Sequence, residues 1–370
     1  LGLPAIVAAK GVTEIADGTV VYVESNEGIV DTEPTDADRE AAIKYANRKP
    51  VADFDGQGVL ADGTRVELYA NVGDGKSAEK AASLKAEGVG LLRTEFGFLG
   101  HDSEPSIETQ AKTYKSVFDA FPGKHIVVRT LDAGADKPLP FLNVNPEENP
   151  ALGVRGFRTD WTVPGVLTRQ LEAIKAASEN SDADIWVMAP MISTTSEARN
   201  FANMLKEIGL PVHGVMVETP AAVMNAEAIL GEVDFVSIGT NDLTQYTMAA
   251  DRLLGDLAHL NNPWQPAVLK MIKMTVEGAQ RASVTAGKKK YVSVCGEAAA
   301  DPALAVVLIG LGVDTLSMNA GAIPAVAAVL KSVTKEKAQQ IAAIALQQIS
   351  SAEAKESARK ALPILDELGL

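Results

Sequence analysis

Two carboxylates in this chain close successive apolar runs. Glu218 ends His213-Gly214-Val215-Met216-Val217. Asp242, twenty-four residues on, follows Val233 to Val236 within Gly239-Thr240-Asn241-Asp242-Leu243-Thr244-Gln245-Tyr246. A short apolar run ended by polar residues reads as a buried strand that delivers side chains at its C-terminal end. In α/β barrels and open parallel sheets, ligands and metals are handled there. Neighbouring strands lie roughly 4.8 Å apart, so the two acids can grip one divalent ion. No His or Cys stands beside them, and such hard oxygens suit Mg2+ or Mn2+ over zinc. The competing reading makes one acid a helix cap.

The same register puts arginines at strand ends. Arg93 closes Gly90-Leu91-Leu92-Arg93 and Arg129 closes Ile126-Val127-Val128-Arg129. Arginine in an apolar strand is costly unless paired. The partner is either an acid such as Glu95 or Asp132, or an anionic ligand matched to the planar guanidinium fork. Lys137 ends the loop Asp132-Ala133-Gly134-Ala135-Asp136-Lys137, from which it reaches back over a phosphate or stays in solvent. Arg155 and Arg252 fall on loops beyond the third and sixth strands, where spacing alone allows ligand and surface roles equally. Cys295 closes another apolar run before Gly296-Glu297. A lone Cys is usually core filling; at the mouth of a cationic site its thiol is a proton donor. His101, His125, His213 and His259 are scattered and read as structural.

The elements that must hold these residues follow from periodicity. From about Arg65 the pattern is apolar strand, loop, amphipathic helix, repeated. The strands expected are Val66–Asn71, Val89–Thr94, His125–Leu131, Ile185–Met191, His213–Glu218, Asp234–Gly239, Tyr291–Gly296 and Asp314–Met318. Eight near-continuous apolar runs describe buried parallel strands, and eight of them predict a closed (β/α)8 TIM barrel. Stretches 105–120 and 143–180 exceed one unit's needs and predict an extra helix each. Before the barrel, Leu3–Val7, Gly18–Val23 and Gly28–Val30 read as short strands with a turn at Asn26-Glu27-Gly28. They cannot bury a core alone and read as the tail of a β-rich domain. Thr35–Asn47 reads as a charged helical linker, and residues 333–370 as helical, with a capping box at Ser350 and Glu353. The apolar face of that last helix suits packing or a dimer contact better than chemistry.

Composition narrows the function classes. A net charge of −14 argues against general nucleic-acid binding. No segment approaches the ~20 apolar residues that span a bilayer. One cysteine permits no internal disulfide and suits a reducing cytoplasm.

At these motifs the chain resembles the enzyme I family of phosphoenolpyruvate:sugar phosphotransferase systems, the phosphoenolpyruvate–protein phosphotransferases. The segments that carry the likeness are Gly90–Glu95, Arg129–Lys137, Asn149–Arg155, Met188–Ser193, Met216–Ala221, Ser237–Arg252 and Cys295–Asp301. The resemblance implies that Arg93, Arg129 and Arg252 hold the phosphoryl group, with Lys137 and Arg155 assisting. It implies that Asn241 and backbone N–H groups around Asp242 hold phosphate and carboxylate, that Glu218 and Asp242 ligate Mg2+, and that Cys295 protonates the enolate. The family's acceptor histidine lies in a Thr-Ser-His-like motif just before a strand like Leu1-Gly2-Leu3-Pro4-Ala5-Ile6-Val7. None of the four histidines here lies in such a motif. The expected division is therefore 1–33 as a remnant of the swivelling phosphohistidine domain, 34–64 as linker helix and connection, and 65–370 as the barrel with C-terminal helices. Phosphoenolpyruvate and pyruvate, HPr through the missing N-terminal part, and a homodimer through the barrel are the implied partners. The rivals are the barrel of phosphoenolpyruvate synthase or pyruvate phosphate dikinase, and a non-catalytic dimerisation module controlled by ligand.

Overall fold

A computed structural model describes all residues except 1–5, 7–8, 10, 25–27, 47–50, 134–138 and 143–146. Two short antiparallel strands come first, β1 (Tyr22–Glu24) and β2 (Ile29–Asp31). The helix Asp36–Ala46 follows. At its start Thr35 Oγ1 accepts from the Asp38 N–H, while Asp38 Oδ2 accepts from the Thr35 N–H at 2.8 Å. The expected strand Leu3–Val7, the Asn26-Glu27 turn and Lys137 lie outside the described residues.

Eight further strands are all parallel: β3 (Glu67–Val72), β4 (Val89–Arg93), β5 (His125–Arg129), β6 (Asp184–Ile192), β7 (His213–Val217), β8 (Phe235–Ile238), β9 (Tyr291–Val294) and β10 (Thr315–Met318). They pair in chain order, and β10 closes on β3. This is the expected (β/α)8 barrel, a TIM-barrel-like α/β fold, with helices between the strands. The register sets Arg93 beside Arg129 and Val217 beside Ile238, so the C-terminal strand ends share one rim.

Side chains alternate faces with a period of two along a strand. In β5, His125 and Val127 line a cavity at the N-terminal end of the barrel, and Arg129 lines one at the C-terminal end. In β9, Tyr291 and Ser293 face the first cavity and Cys295, just past the strand, faces the second. Between the two, Leu91, Val127, Met188, Met216, Phe235 and Cys295 form an interior plug. The intervening positions face outward into the larger core between barrel and helices.

The helices are specified locally. Thr194 and Glu197 form a reciprocal capping box for Thr195–Ile208, which Gly209 ends in the left-handed conformation at φ 83°. Pro302–Leu311 is apolar nearly all round and buried, as such a helix must be. Lys335–Leu346 covers it, burying Ala338, Ile341, Ala342 and Ala345. A Cβ on Gly310 would fall 2.1 Å from the Ala338 carbonyl oxygen, so glycine permits this close approach. Ser350 caps Ser351–Lys360 through the Glu353 N–H, and Ala354 and Ala358 are buried. The C-terminal apolar face is therefore packing within the chain.

One expectation needs correction. Between β4 and β5 there is a single α-helix, Ile107–Phe118, which is the unit's own and not an addition. The spare length there is a 3-10 turn, Thr94–Gly97, and a loop. After β5, a short helix, Thr159–Thr162, does precede the main helix Val166–Ser178.

Candidate active site

The C-terminal mouth encloses a cavity of about 220 Å3. Arg93, Arg129, Arg155, Glu218, Asn241, Asp242, Arg252 and Cys295 all line it. Arg93 and Arg129 are the last residues of β4 and β5, Glu218 follows β7, and Cys295 follows β9. Asn241 and Asp242 sit in the first turn of the helix Thr240–Met248, straight after β8. Strand ends and that first turn thus aim six of the eight residues from rigid positions, while Arg155 and Arg252 arrive on loops.

A chain of alternating charges runs round this mouth. Glu95 Oε1 accepts from Arg129 Nη2 at 2.7 Å, and Arg129 Nη1 lies 3.3 Å from Asp132 Oδ2. Arg155 grips Asp132 with two nitrogens, Nε at 3.3 Å and Nη2 at 2.9 Å, and reaches Asp242 Oδ1 with Nη1 at 2.8 Å. Asp242 Oδ2 lies 3.6 Å from Arg252 Nη1. Arg129, at 8 % exposure, therefore satisfies both readings of a strand arginine, because it pairs with Glu95 and Asp132 and also lines the cavity. Its Nε–H finds no acceptor among the described residues. Arg93 makes no ion pair among them.

Electrostatics follow from burial. Burial opposes charge on Arg129 and Arg155, but their carboxylate partners outweigh it and hold both guanidinium groups firmly charged. Burial also works to raise the Asp132 carboxyl, yet Arg129 and Arg155 together bring it below the usual range. Glu218 goes the other way. It is 1 % exposed, and burial, with Asp242 and Asp132 nearby, lifts its carboxyl well above the ordinary value. Among the described residues, four arginines face five carboxylates around the cavity, the fifth being Glu297. A divalent cation beside Glu218 and Asp242 would make the lining net positive.

Several contacts fix the smaller groups. Glu218 Oε2 accepts from the Met191 N–H at 2.8 Å. Met191 has φ 58°, unusual for a residue with a side chain, so backbone strain aims that N–H at the carboxylate. A Cβ on Gly239 would lie 2.4 Å from Glu218 Oε1; glycine leaves room for the acid. Asn241 Oδ1 accepts from the Glu297 N–H at 3.3 Å, which leaves its NH2 group for the cavity. Asn71 Nδ2 donates to the Cys295 carbonyl at 2.9 Å, and Ser317 Oγ donates to Asn71 Oδ1 at 2.6 Å. Burial pushes the Cys295 thiol up to about 11, so it stays protonated at neutral pH. From the sequence, Glu95 reads only as an ion-pair partner and Met191 only as a strand end, and Gly239 and Glu297 are missed as site residues. Glu95 carried a readable signal, an acid two residues past a strand-end arginine; the left-handed Met191 carried none.

Such a lining, four arginines among five carboxylates with a protonated thiol, lies at the C-terminal strand ends where α/β barrels place their active sites. Among the described residues no group of three or more His, Cys, Asp or Glu side chains could hold a metal unaided. A hard cation would thus complete its shell with water and ligand oxygens. Residues 51–335 match the family described as "PEP-utilising enzyme, PEP-binding domain". The chain is 45% identical over 366 residues to a phosphoenolpyruvate-protein phosphotransferase of Streptomyces coelicolor, covering 98% of this chain and 65% of that protein. A protein of the same name from Haloferax volcanii is 39% identical over 96% of this chain and 64% of its own. A multiphosphoryl transfer protein of Xanthomonas campestris is 38% identical over 94% and 42%. The chain belongs to the PEP-utilising enzymes, whose PEP-binding domain it carries. It spans less than two thirds of the length of these relatives.

Proposed function

We propose that this chain is the phosphoenolpyruvate-binding part of a phosphoenolpyruvate–protein phosphotransferase, enzyme I of a sugar-uptake system. The observation that carries this reading is the meeting of four arginines, five carboxylates, Glu218 and Asp242 among them, and a protonated thiol in one cavity. In it, Arg93, Arg129 and Arg252 hold the phosphoryl group, with Arg155 and Lys137 assisting. Asn241 turns its NH2 toward the ligand's oxygens. Glu218 and Asp242 fit Mg2+, being hard oxygen donors on one cavity wall with Glu218 made basic by its surroundings. Bound there, Mg2+ would neutralise charge on phosphate and carboxylate oxygens.

Loss of the phosphoryl group leaves the enolate of pyruvate. The arginines stabilise that charge, and the Cys295 thiol gives its proton to the enolate carbon. The transfer then cannot easily run back. None of the four histidines lines the cavity, so the phosphoryl acceptor comes to the mouth from elsewhere in a longer protein, which passes the group to HPr. A homodimer through the barrel and a cytoplasmic location belong to the same reading. Among the described residues no helix is long and apolar enough to cross a membrane.

Titration calorimetry tests it. Phosphoenolpyruvate should bind only with Mg2+ present, and Arg93→Ala should weaken binding by about ten- to a hundredfold, the worth of a charged hydrogen bond. Binding without Mg2+, or unchanged in Arg93→Ala, would refute the assignment.

A further inference from the structure

The opposite mouth of the barrel holds a second cavity, of about 260 Å3, separated from the first by the interior plug. Its walls are residues from the first turns of the strands, and they are aromatic. Tyr69 (β3), His125 (β5), Trp186 (β6), Phe235 (β8) and Tyr291 (β9) come from five different strands and line it. Their rings form a continuous series. Tyr69 and His125 have centroids 5.4 Å apart, and His125 meets Trp186 edge to face at 4.0 Å and 88°. Trp186 lies 5.0 Å from Phe235 and 6.1 Å from Tyr291. Gly90, also in the wall, packs closely on Ser317, whose Oγ lies 2.5 Å from where a Cβ would stand.

The rim of this cup is acidic. Glu67 and Asp184, the first residues of β3 and β6, line it. The lysines nearby are already committed. Lys288 Nζ lies 2.7 Å from Asp234 and Lys289 Nζ 2.7 Å from Asp314. Glu67 makes no ion pair among the described residues, and Asp184 has only the His125 ring, 3.1 Å away. Burial lowers the His125 pKa, so that ring adds little positive charge at neutral pH. One ring already attracts a cation, since Lys289 Nζ stands 4.8 Å from the Tyr291 centroid. Aromatic faces attract cations through their quadrupole, most strongly where water is excluded, and several rings around one point make a cage for ammonium groups.

We propose that the N-terminal mouth of this barrel binds a small organic cation, a protonated amine or quaternary ammonium compound, caged by these rings and held by Glu67 and Asp184. The cavity lies below the roughly 300–1,000 Å3 of drug-sized sites, which limits the ligand to a few heavy atoms beyond its head group. This site is independent of the anion site at the other mouth.

The test titrates the chain with choline at constant ionic strength, following tryptophan fluorescence and heat. The uncharged isostere 3,3-dimethylbutan-1-ol runs in parallel. Choline should bind saturably and about tenfold or more tighter than the isostere. Trp186→Leu should remove the fluorescence response. Tyr291→Ala, a change at a residue 41% exposed and so safe for folding, should weaken choline by about fivefold or more. Phosphoenolpyruvate affinity, measured on the same samples, should not change in either variant, which separates this claim from the function proposed above. Absent saturable binding, equal binding of the isostere, or undiminished binding in Tyr291→Ala would each overturn the proposal.

Discussion

Arg93 and Arg129 stand side by side in register yet differ in what their removal would do. Arg129 neutralises the buried Glu95 at 2.7 Å. Truncating one partner of a buried ion pair strands the other's charge and costs about 3–5 kcal/mol. Arg129→Ala should therefore lower the melting temperature by about 10 °C as well as weaken ligand binding. Arg93 has no such partner among the described residues, and Arg93→Ala should cost about 1 kcal/mol or less while still impairing binding. Paired melting curves and titrations check this; equal destabilisation in the two variants would contradict the assigned roles. Cys295 shows the same economy of position: its burial, which looks like core filling, is what keeps the thiol protonated.

At the level of elements, the loops after β7 and β8 meet where Gly239 faces Glu218. Gly239 has φ −87°, so alanine meets no backbone strain there. The conflict is with the Glu218 side chain, whose Oε1 lies 2.4 Å and Cγ 2.8 Å from the added Cβ. Gly239→Ala should thus cost about 1–3 kcal/mol of stability, because the buried acid must shift. It should weaken Mn2+ binding, followed by electron paramagnetic resonance, by about tenfold or more, as misplaced metal ligands do. Unaltered Mn2+ affinity would remove Glu218 from the metal site. The strands were legible in the sequence to within one or two residues at most ends because buried parallel strands write near-continuous apolar runs. The rim chemistry was legible because a charged residue closing a buried run must meet either an opposite charge or a ligand. What stayed hidden depends on tertiary approach. By spacing, Arg155 reads equally as a ligand or a surface residue until the fold brings Asp132 and Asp242 to it, and Met191 gives no hint of its left-handed turn. The aromatic cup was hidden for the opposite reason: Trp186 and Phe235 in strands read simply as core.

For the molecule as a whole, buried His213 and half-buried His125 set an acid limit on stability. Burial lowers the pKa of His125 and His213 below the ordinary value near 6.5. The unfolded chain then binds protons that the folded chain resists, so the histidines' contribution is full above about pH 6.5 and declines as pH falls below it. Carboxylates held below their usual range, such as Asp234, extend the loss at pH values under about 4. Buried Glu218, lifted to about 8, adds a loss of the opposite sign as pH rises to about 8, and against it the histidines should make melting temperature fall below about pH 6.5. His125→Gln should flatten the first part of that fall, and an unchanged slope would exclude His125 from it.

The two-residue alternation along the strands carries a further consequence. His125 and Arg129 stand four residues apart on one strand and open onto opposite ends of the barrel. Inserting a single residue between them would turn one of the two outward, whichever end the rest of the strand kept in place. The two mouths are thus cut into one set of keys, and change at either can enter safely only through the loops beyond the strand ends or by exchange of side chains in place.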